Sequence, residues 1–354
     1  MEDEIITTYF GTFLIIDNNL NIIQKDMCDI NEHKCTALKK DDFINSGFEI
    51  REIDSFYFLI SKNNMHLSSN PDGTTTMREN TASWEKYKIS NKNFRGVIQR
   101  KEETSIPKLI FQTDNSKNID KQYLRNVSHI KEINSGWEYK YFSEKDRIDF
   151  IYDKYGWDIL KLYLQINPLY GACRADLFRY LCIYYYGGIY LDMKSSTENP
   201  LDNIINKEDE LITSNWHSQR ETPWNNYGGW HDVAHIPSGE YQQWFIISNK
   251  GNKIIEKLIN QVLENINNYD FSLHGYGINA VFLLSGPSVY TRVIFNNIKN
   301  HKVRFIDSAL EGIIYHAVPS EKQKTNYRDQ TLPVVLNTNF QKAEQRHMEH
   351  MNIF

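Results

Sequence analysis

Cysteine and proline are scarce in this chain of 354 residues, with four Cys and nine Pro. Cys28, Cys35, Cys173 and Cys182 are too few and too scattered for a disulfide framework, and no His/Cys spacing reads as a zinc site. Cys173 and Cys182 fall in an apolar helical pattern, where buried thiols are expected. An excess of basic charge is missing too. Lys and Arg together number 40 against 45 Asp and Glu, a formal net charge of -5, so bulk charge offers no footprint for nucleic acid. No run approaches the ~18 uninterrupted apolar residues of a membrane span. The start, Met1-Glu-Asp-Glu, is acidic where a secretory leader is basic and then apolar. No Gly-rich phosphate loop of the P-loop or dinucleotide type occurs. These absences lead to the expectation of a reduced, soluble, cytoplasmic protein with no nucleic-acid partner and no membrane span.

What is present is globular. Hydrophobic residues make up 40% and charged residues 24%, which excludes a wholly disordered chain. The length suggests about two domains, and the pattern changes near residue 100. Tyr9-Phe-Gly-Thr-Phe-Leu-Ile-Ile16 and Leu20-Asn-Ile-Ile23 flank the turn Asp17-Asn-Asn19. Phe56-Tyr-Phe-Leu-Ile60, Met65-His-Leu67 and Thr74-Thr-Thr-Met77 follow, broken by Lys62-Asn-Asn64 and Asn70-Pro-Asp-Gly73, and Trp84 to Ile89 closes the run. Short strands between Asn/Asp/Gly turns read as antiparallel β. The stretch Phe56 to Ile89, with its closing Trp84-Glu85, resembles a lobe of a fascin-type β-trefoil. That resemblance implies a small all-β, partly trefoil-like accessory domain over residues 1–98. The polar Asn91 to Glu103 reads as a linker.

From Ile106 strands alternate with helices, which predicts a mostly parallel sheet with helices on its faces in a domain over 104–330, and then a polar tail, 331–354. Ser143 is placed to cap a helix running to about Leu164. A second helix spans about Ala172 to Tyr186 and stops at Gly187-Gly188. Ile189-Tyr-Leu-Asp-Met193 follows as a strand. Lys250 to Ile266 is amphipathic, and Pro287 suits the first turn of another helix.

The chemistry concentrates in Arg174-Ala-Asp-Leu-Phe-Arg-Tyr-Leu181 and Gly187-Gly-Ile-Tyr-Leu-Asp192. Asp176 and Arg179, three apart, share a helix face. Asp192 falls at the carboxyl end of a strand, where open α/β sheets hold ligands. Buried there, a carboxylate needs a cation or several donors. Read blandly, the set is a surface ion pair and a solvated aspartate. The ordered combination of acid, Arg, Gly-Gly turn and second acid favours a functional site.

These motifs resemble the DXD region of sugar-nucleotide glycosyltransferases, in particular family 32, with its outer-chain mannosyltransferases, capsular sugar transferases and, more distantly, clostridial glucosylating toxins. Ile106-Pro-Lys-Leu-Ile-Phe-Gln-Thr113 resembles the family's first strand, Ser285-Gly-Pro287 its Thr-Gly-Pro element, and Gln243-Trp-Phe-Ile246 its Asn-Trp-Phe segment. The resemblance implies a GT-A (Rossmann-like) α/β fold and retaining transfer of a sugar from a UDP- or GDP-sugar to a glycan or glycoprotein acceptor. It implies catalytic roles for Asp176, Arg179, Asp192 and Lys194. Donor binding falls to Phe111, Gln112, Thr113, Asp176, Arg179, Tyr180, Gly188 and Asp192. A divalent cation, Mn²⁺ or Mg²⁺, falls to Asp192 and His316.

The chain departs from the family pattern in two places. Lys194 stands where the second DXD acid belongs, a change of two charge units beside the expected diphosphate, so metal dependence is expected to be weakened but kept. Phe111 and Asp114 replace the family's His and Trp. Trp216, His217 and Trp230, with Trp224, Tyr227, His231, His235 and His274 around them, are expected at the acceptor. The alternative to an enzyme is a non-catalytic glycan- or protein-binding chain on a degenerate transferase scaffold. A hydrolase with paired carboxylates ranks last, because no second acid stands near Asp192.

Overall fold

Two units, each organised around its own sheets, account for the described residues, which are 4–25, 36–53, 56–91, 96, 99–216, 223–224, 227–319 and 327–336 of a computed structural model. The first unit comprises Met1–Gly96 and Asn260–Gly275. Its β-forming runs give β1 (Glu4–Thr7), β2 (Phe13–Ile16), β3 (Ile22–Lys25), β4 (Glu49–Ile53), β5 (Phe56–Ile60), β6 (His66–Ser69), β7 (Thr75–Arg78) and β8 (Lys88–Asn91). They pair antiparallel in two four-stranded sheets, ordered β3-β2-β1-β8 and β4-β5-β6-β7. The turn at Asn70–Gly73 closes as expected: Gly73 N–H donates to Asn70 O at 3.1 Å, with Gly73 at φ +85°. Ile6, Leu14, Phe43, Leu59, Leu67 and Tyr87 form the core. These pairings do not establish a trefoil. A linear division at 98 and 104 also leaves out the return of Asn260–Gly275, where Gln261 Nε2 donates to the carbonyls of Phe10 and Gly11 at 3.2 Å.

The second unit comprises Val97–Ile259 and Tyr276–Phe354. Its sheet contains β9 (Leu109–Thr113), β10 (Glu138–Phe142), β11 (Gly188–Leu191), β13 (Leu211–Thr213), β14 (Phe245–Ser248) and β15 (Val303–Phe305), in the order β10-β9-β11-β14-β13-β15. A two-stranded ribbon joins β12 (Ser196–Thr197) to β16 (Ile313–Ile314). The sheet is mixed rather than mostly parallel. β10, β9 and β11 run parallel and β13 pairs parallel with β15, but β14 is antiparallel to both its neighbours. A period-two or continuous apolar pattern gives strand existence but not direction, which the connections decide.

Helix Gly171–Tyr186 is the centre of the unit. Eleven of its residues are buried, polar and apolar alike, as expected of a helix enclosed on all sides. It ends at Gly187 (φ +69°), and Gly188 (φ +95°) opens β11. The chain reverses there in contact with β9: a Cβ on Gly188 would lie 2.5 Å from Leu109 O. The Ser143 cap forms, with Ser143 N–H donating to Asp146 Oδ2 at 2.9 Å. Its helix stops at Tyr155, because Gly156 (φ +80°) divides the expected long helix into Glu144–Tyr155 and Trp157–Gln165. Pro287 opens helix Pro287–Asn297 as expected. Cys173 and Cys182 are buried free thiols. Cys28, Cys35, much of the linker and the tail from Gln341 onward lie outside the described residues.

Because both the positive φ and the contact with Leu109 O exclude a side chain at Gly188, Gly188→Ala is expected to cost ~2–4 kcal/mol. Gly136→Ala, whose Cβ meets nothing within 4 Å, is expected to change little. Urea denaturation of the two variants beside the parent checks both values.

Candidate active site

The turn at Gly187-Gly188 delivers β11 so that Asp192 sits one residue past its carboxyl end. Asp192 is pinned through its backbone from both neighbouring strands. Its N–H donates to Trp244 O at 2.9 Å, and its carbonyl accepts from Gln112 Nε2 at 3.1 Å. Arg179 approaches from the enclosed helix. Its Nη2 lies 3.1 Å from Asp176 Oδ1 and 3.2 Å from Asp192 Oδ1, so one guanidinium joins both carboxylates. Arg179 Nη1 donates to Gln243 O at 2.8 Å, and the guanidinium stacks 4.7 Å from the Tyr190 ring.

Three separate motifs therefore converge on the helix pair. Ser285 Oγ donates to Asp176 Oδ2 at 2.9 Å, and Gln243 Nε2 reaches Asp176 Oδ1 at 3.4 Å. Tyr180 OH donates to Ser285 O at 2.8 Å and also bonds Gln243 Oε1. The Asp176–Arg179 pair is thus buried, at 3% and 5% exposure, and is not a surface pair. Burial raises the Asp176 carboxyl to about 6, against the lowering pull of Arg179 and Ser285. For Arg179, burial works downward and the Asp192 and Asp176 carboxylates outweigh it, holding the guanidinium above its ordinary value.

Beside this triad lies a cleft of ≈ 1420 Å³. Of the expected site residues, Asp176, Arg179, Asp192, Lys194, Thr113, His316, Trp216 and Trp230 all line it. Phe111, Gln112, Tyr180 and Gly188 do not. Phe111 stacks on Tyr186 at 5.5 Å, and Gln112 spends its amide on Asp192 O and the Tyr139 hydroxyl. Tyr180 is wholly buried, and Gly188 abuts Leu109. These four support the wall from behind. His217 lies outside the described residues. His274 belongs to the first unit, and His231 is exposed and paired with Asp232 at 2.7 Å, so neither joins the cleft.

Several cleft residues escape the sequence reading. Tyr190 OH donates to Asp192 Oδ1 at 3.0 Å; its position two before Asp192 places it on the same strand face, a signal the spacing carries. Arg147, 1% exposed, donates to Tyr163 OH, Thr113 Oγ, Asp114 O and Asn115 Oδ1, all neutral acceptors. It fixes the 113–115 loop from 34 residues away, and no local pattern announces that. Glu240, held by the Trp216 indole, is a third.

The candidate ligands for a divalent cation are Asp192 and His316, which both line the cleft. Asp192 Oδ1 is taken by Arg179 and Tyr190, while Oδ2 has no hydrogen bond among the described residues. Val318 N–H donates to Lys194 O at 3.1 Å, and this together with the β12–β16 ribbon carries His316 to the cleft wall. Burial, and then Lys194, lower the His316 imidazole, which favours its neutral, ligating form. No group of three His, Cys, Asp or Glu side chains gathers among the described residues.

The model of the family described as "Glycosyltransferase sugar-binding region containing DXD motif" matches residues 24–211, just over half of the chain. Inositol phosphoceramide mannosyltransferase 1 of Schizosaccharomyces pombe is 22% identical over 51% of this chain and 49% of its own length. Mannosyl phosphorylinositol ceramide synthase SUR1 of Saccharomyces cerevisiae is 28% identical over 28% and 25%. The chain thus spans about half, or less, of the curated relatives it matches. Among solved structures, PaToxG glycosyltransferase aligns with a TM-score of 0.36 at 18% identity, over 55% of this chain and 71% of that one.

These relatives correct the expected cytoplasmic, soluble placement. They are named for a ceramide, a two-chain lipid of membranes. Gly277–Asn297 is long and apolar enough to cross a membrane by length and composition, but 78% of its window is buried in the fold, as in a core helix.

The raised Asp176 carboxyl has a stability consequence. A folded-state value of about 6 above an ordinary 3.8 means that the folded form holds the proton more tightly, so the contribution is full below pH ~4 and is lost as pH rises through 6. Asp176→Asn removes that dependence. Denaturant titrations at pH 4 and pH 7 are expected to show the parent losing on the order of 2–3 kcal/mol relative to the variant.

Proposed function

The chain belongs to the family of glycosyltransferases whose sugar-binding region contains the DXD motif, and from that premise we propose that it transfers a sugar from a nucleoside-diphosphate sugar to a glycan, protein or lipid acceptor with retention of anomeric configuration. The observation that carries this reading is the single guanidinium of Arg179 joined to Asp176 and Asp192 at the head of the cleft. In this reading the second unit is a GT-A-type transferase domain.

As the glycosidic bond breaks, its electron pair leaves with the β-phosphate oxygen and the diphosphate gains negative charge. Fixed positive groups stabilise that charge without reorganising. Arg179 is oriented for it by three acceptors, and its planar fork suits phosphate and hydroxyl oxygens. Lys194 lines the same cleft, and its ammonium makes no ion pair among the described residues. It is therefore available to the diphosphate, where the family pattern has an acid. A divalent cation held by Asp192 and His316 would supply further neutralisation of the leaving group. Tyr190 keeps Asp192 turned toward the cleft, with its 35% exposed side chain available to a ligand. The Arg147-fixed loop Thr113–Asn115 offers the nucleoside a preformed edge. The curated relatives are named for mannosyl transfer to a phosphorylinositol ceramide, so a mannosyl donor and a lipid-borne acceptor come first in any panel.

Thermal stabilisation by UDP- and GDP-sugars, with and without Mn²⁺, tests the reading. A shift of several degrees with one nucleotide class, abolished in Asp192→Ala, is expected. No shift with any nucleotide sinks the transferase reading in favour of a non-catalytic scaffold. Lys194 is expected to leave metal dependence partial: excess chelator reduces transfer and Mn²⁺ restores it. Full transfer in chelator, with no gain on adding Mn²⁺, would show that the protein's own cations suffice.

A further inference from the structure

Glu240 has no place in the chemistry above, yet it lines the same cleft at 5% exposure. Its environment is built. Trp216 Nε1 donates to Glu240 Oε1 at 2.9 Å, Trp216 N–H reaches Glu240 O at 3.4 Å, and Glu240 N–H reaches Gly228 O at 3.3 Å. Gly228 (φ +88°) packs so closely that a Cβ there would lie 2.7 Å from the Trp216 ring and 3.2 Å from Glu240 Cβ. The next residue, Gly229, also lines the cleft, and a Cβ on it would meet nothing within 4 Å. The two glycines thus leave the wall thin where a ligand would lie.

Two polar atoms of this wall lack partners among the described residues. Glu240 Oε2 and the Trp244 indole N–H are both buried without a hydrogen bond. Trp244 is part of the same aromatic cluster, because Trp216 and Trp244 each contact Tyr315, at 5.1 and 5.2 Å between ring centroids. Leaving a buried donor or acceptor unpaired costs free energy, so such atoms point to a missing partner. One of these atoms takes a hydrogen bond and the other gives one. A sugar ring answers both, because each hydroxyl can donate and accept, and its apolar face packs on aromatic rings. Burial raises the Glu240 carboxyl to about 7, opposed only by the Trp216 bond, as expected of a carboxyl waiting for a second donor.

We propose that Glu240 and Trp244, with Trp216 seating the carboxyl and Gly228-Gly229 leaving room, form a subsite that reads the hydroxyls of a pyranose ring. The inference rests on the transferase reading only for the source of that ring, which is either the donor's sugar or the acceptor's.

The test compares the parent with Glu240→Met, which keeps length but removes the carboxyl, and Trp244→Phe, which removes the indole N–H and shrinks the ring while keeping an aromatic face. Affinities are measured for UDP and GDP, for UDP-glucose and GDP-mannose, and for methyl mannoside and methyl glucoside by saturation-transfer NMR. Both variants are expected to bind the plain nucleotides as the parent does and to lose about tenfold in the sugar-dependent part. A loss seen in the nucleotide-sugars assigns the subsite to the donor, and a loss confined to the methyl glycosides assigns it to the acceptor. Sugar binding unchanged in both folded variants overturns the proposal, and so does a parent with no sugar-dependent binding in either set. If the parent ignores all nucleotides but binds a glycoside through Glu240, the transferase reading fails and the subsite stands. A fall in UDP or GDP affinity equal to the fall in sugar affinity overturns the subsite, because it would show a general loss of structure.

Discussion

One guanidinium holds the second unit's chemistry together. Arg179 is buried, and a buried cation persists only if its charge and its donors are met. Asp176 and Asp192 meet the charge, Gln243 O takes a further N–H, and the Tyr190 ring covers the face. The four partners come from three places: the helix itself, β11 with the residue after it, and the segment leading into β14. The site's assembly and the packing of the helix against the sheet are therefore the same event. Substituting one partner leaves an uncompensated charge in the interior, which is why the surrounding polar bonds from Ser285 and Tyr180 are so fully used.

The same constraint explains the charge distribution around the cleft. Asp176 is the inner carboxylate, surrounded by donors and closed to solvent, and its role is to orient Arg179. Asp192 is the outer one, with an oxygen left for a ligand. Two carboxylates on one guanidinium would leave the head of the cleft negative. Lys194, which lines the same cleft, sets a positive charge against them. Replacing the second DXD acid with lysine is therefore consistent with the local electrostatics and does not by itself signal decay.

The aromatic side of the cleft is organised differently. Trp216 and Trp244 each pack on Tyr315. A charged half and an aromatic half in one cleft suit a ligand with a charged part and a ring-bearing part, the general form of a nucleotide-sugar and its acceptor.

Much of the charged half was legible in the sequence. Asp176 and Arg179 are one helical turn apart, the double glycine announces the reversal, and Asp192 follows at strand spacing, so local periodicity was enough to group them. The antiparallel hairpins of the first unit were legible for the same reason, since Asn/Asp/Gly turns act over a few residues. The tertiary structure alone decided what depends on distant contacts. The mixed direction of the sheet, the return of Asn260–Gly275 to the first unit, and the removal of Phe111, Gln112, Tyr180 and Gly188 from the cleft wall all lie beyond local pattern. So do Arg147's grip on a loop 34 residues away and Glu240's on an indole 24 residues away. Dihedral preference and hydrophobic period act over one or two turns of chain. Which buried polar atoms find partners, and which are left for a ligand, is settled only when segments far apart in sequence pack together.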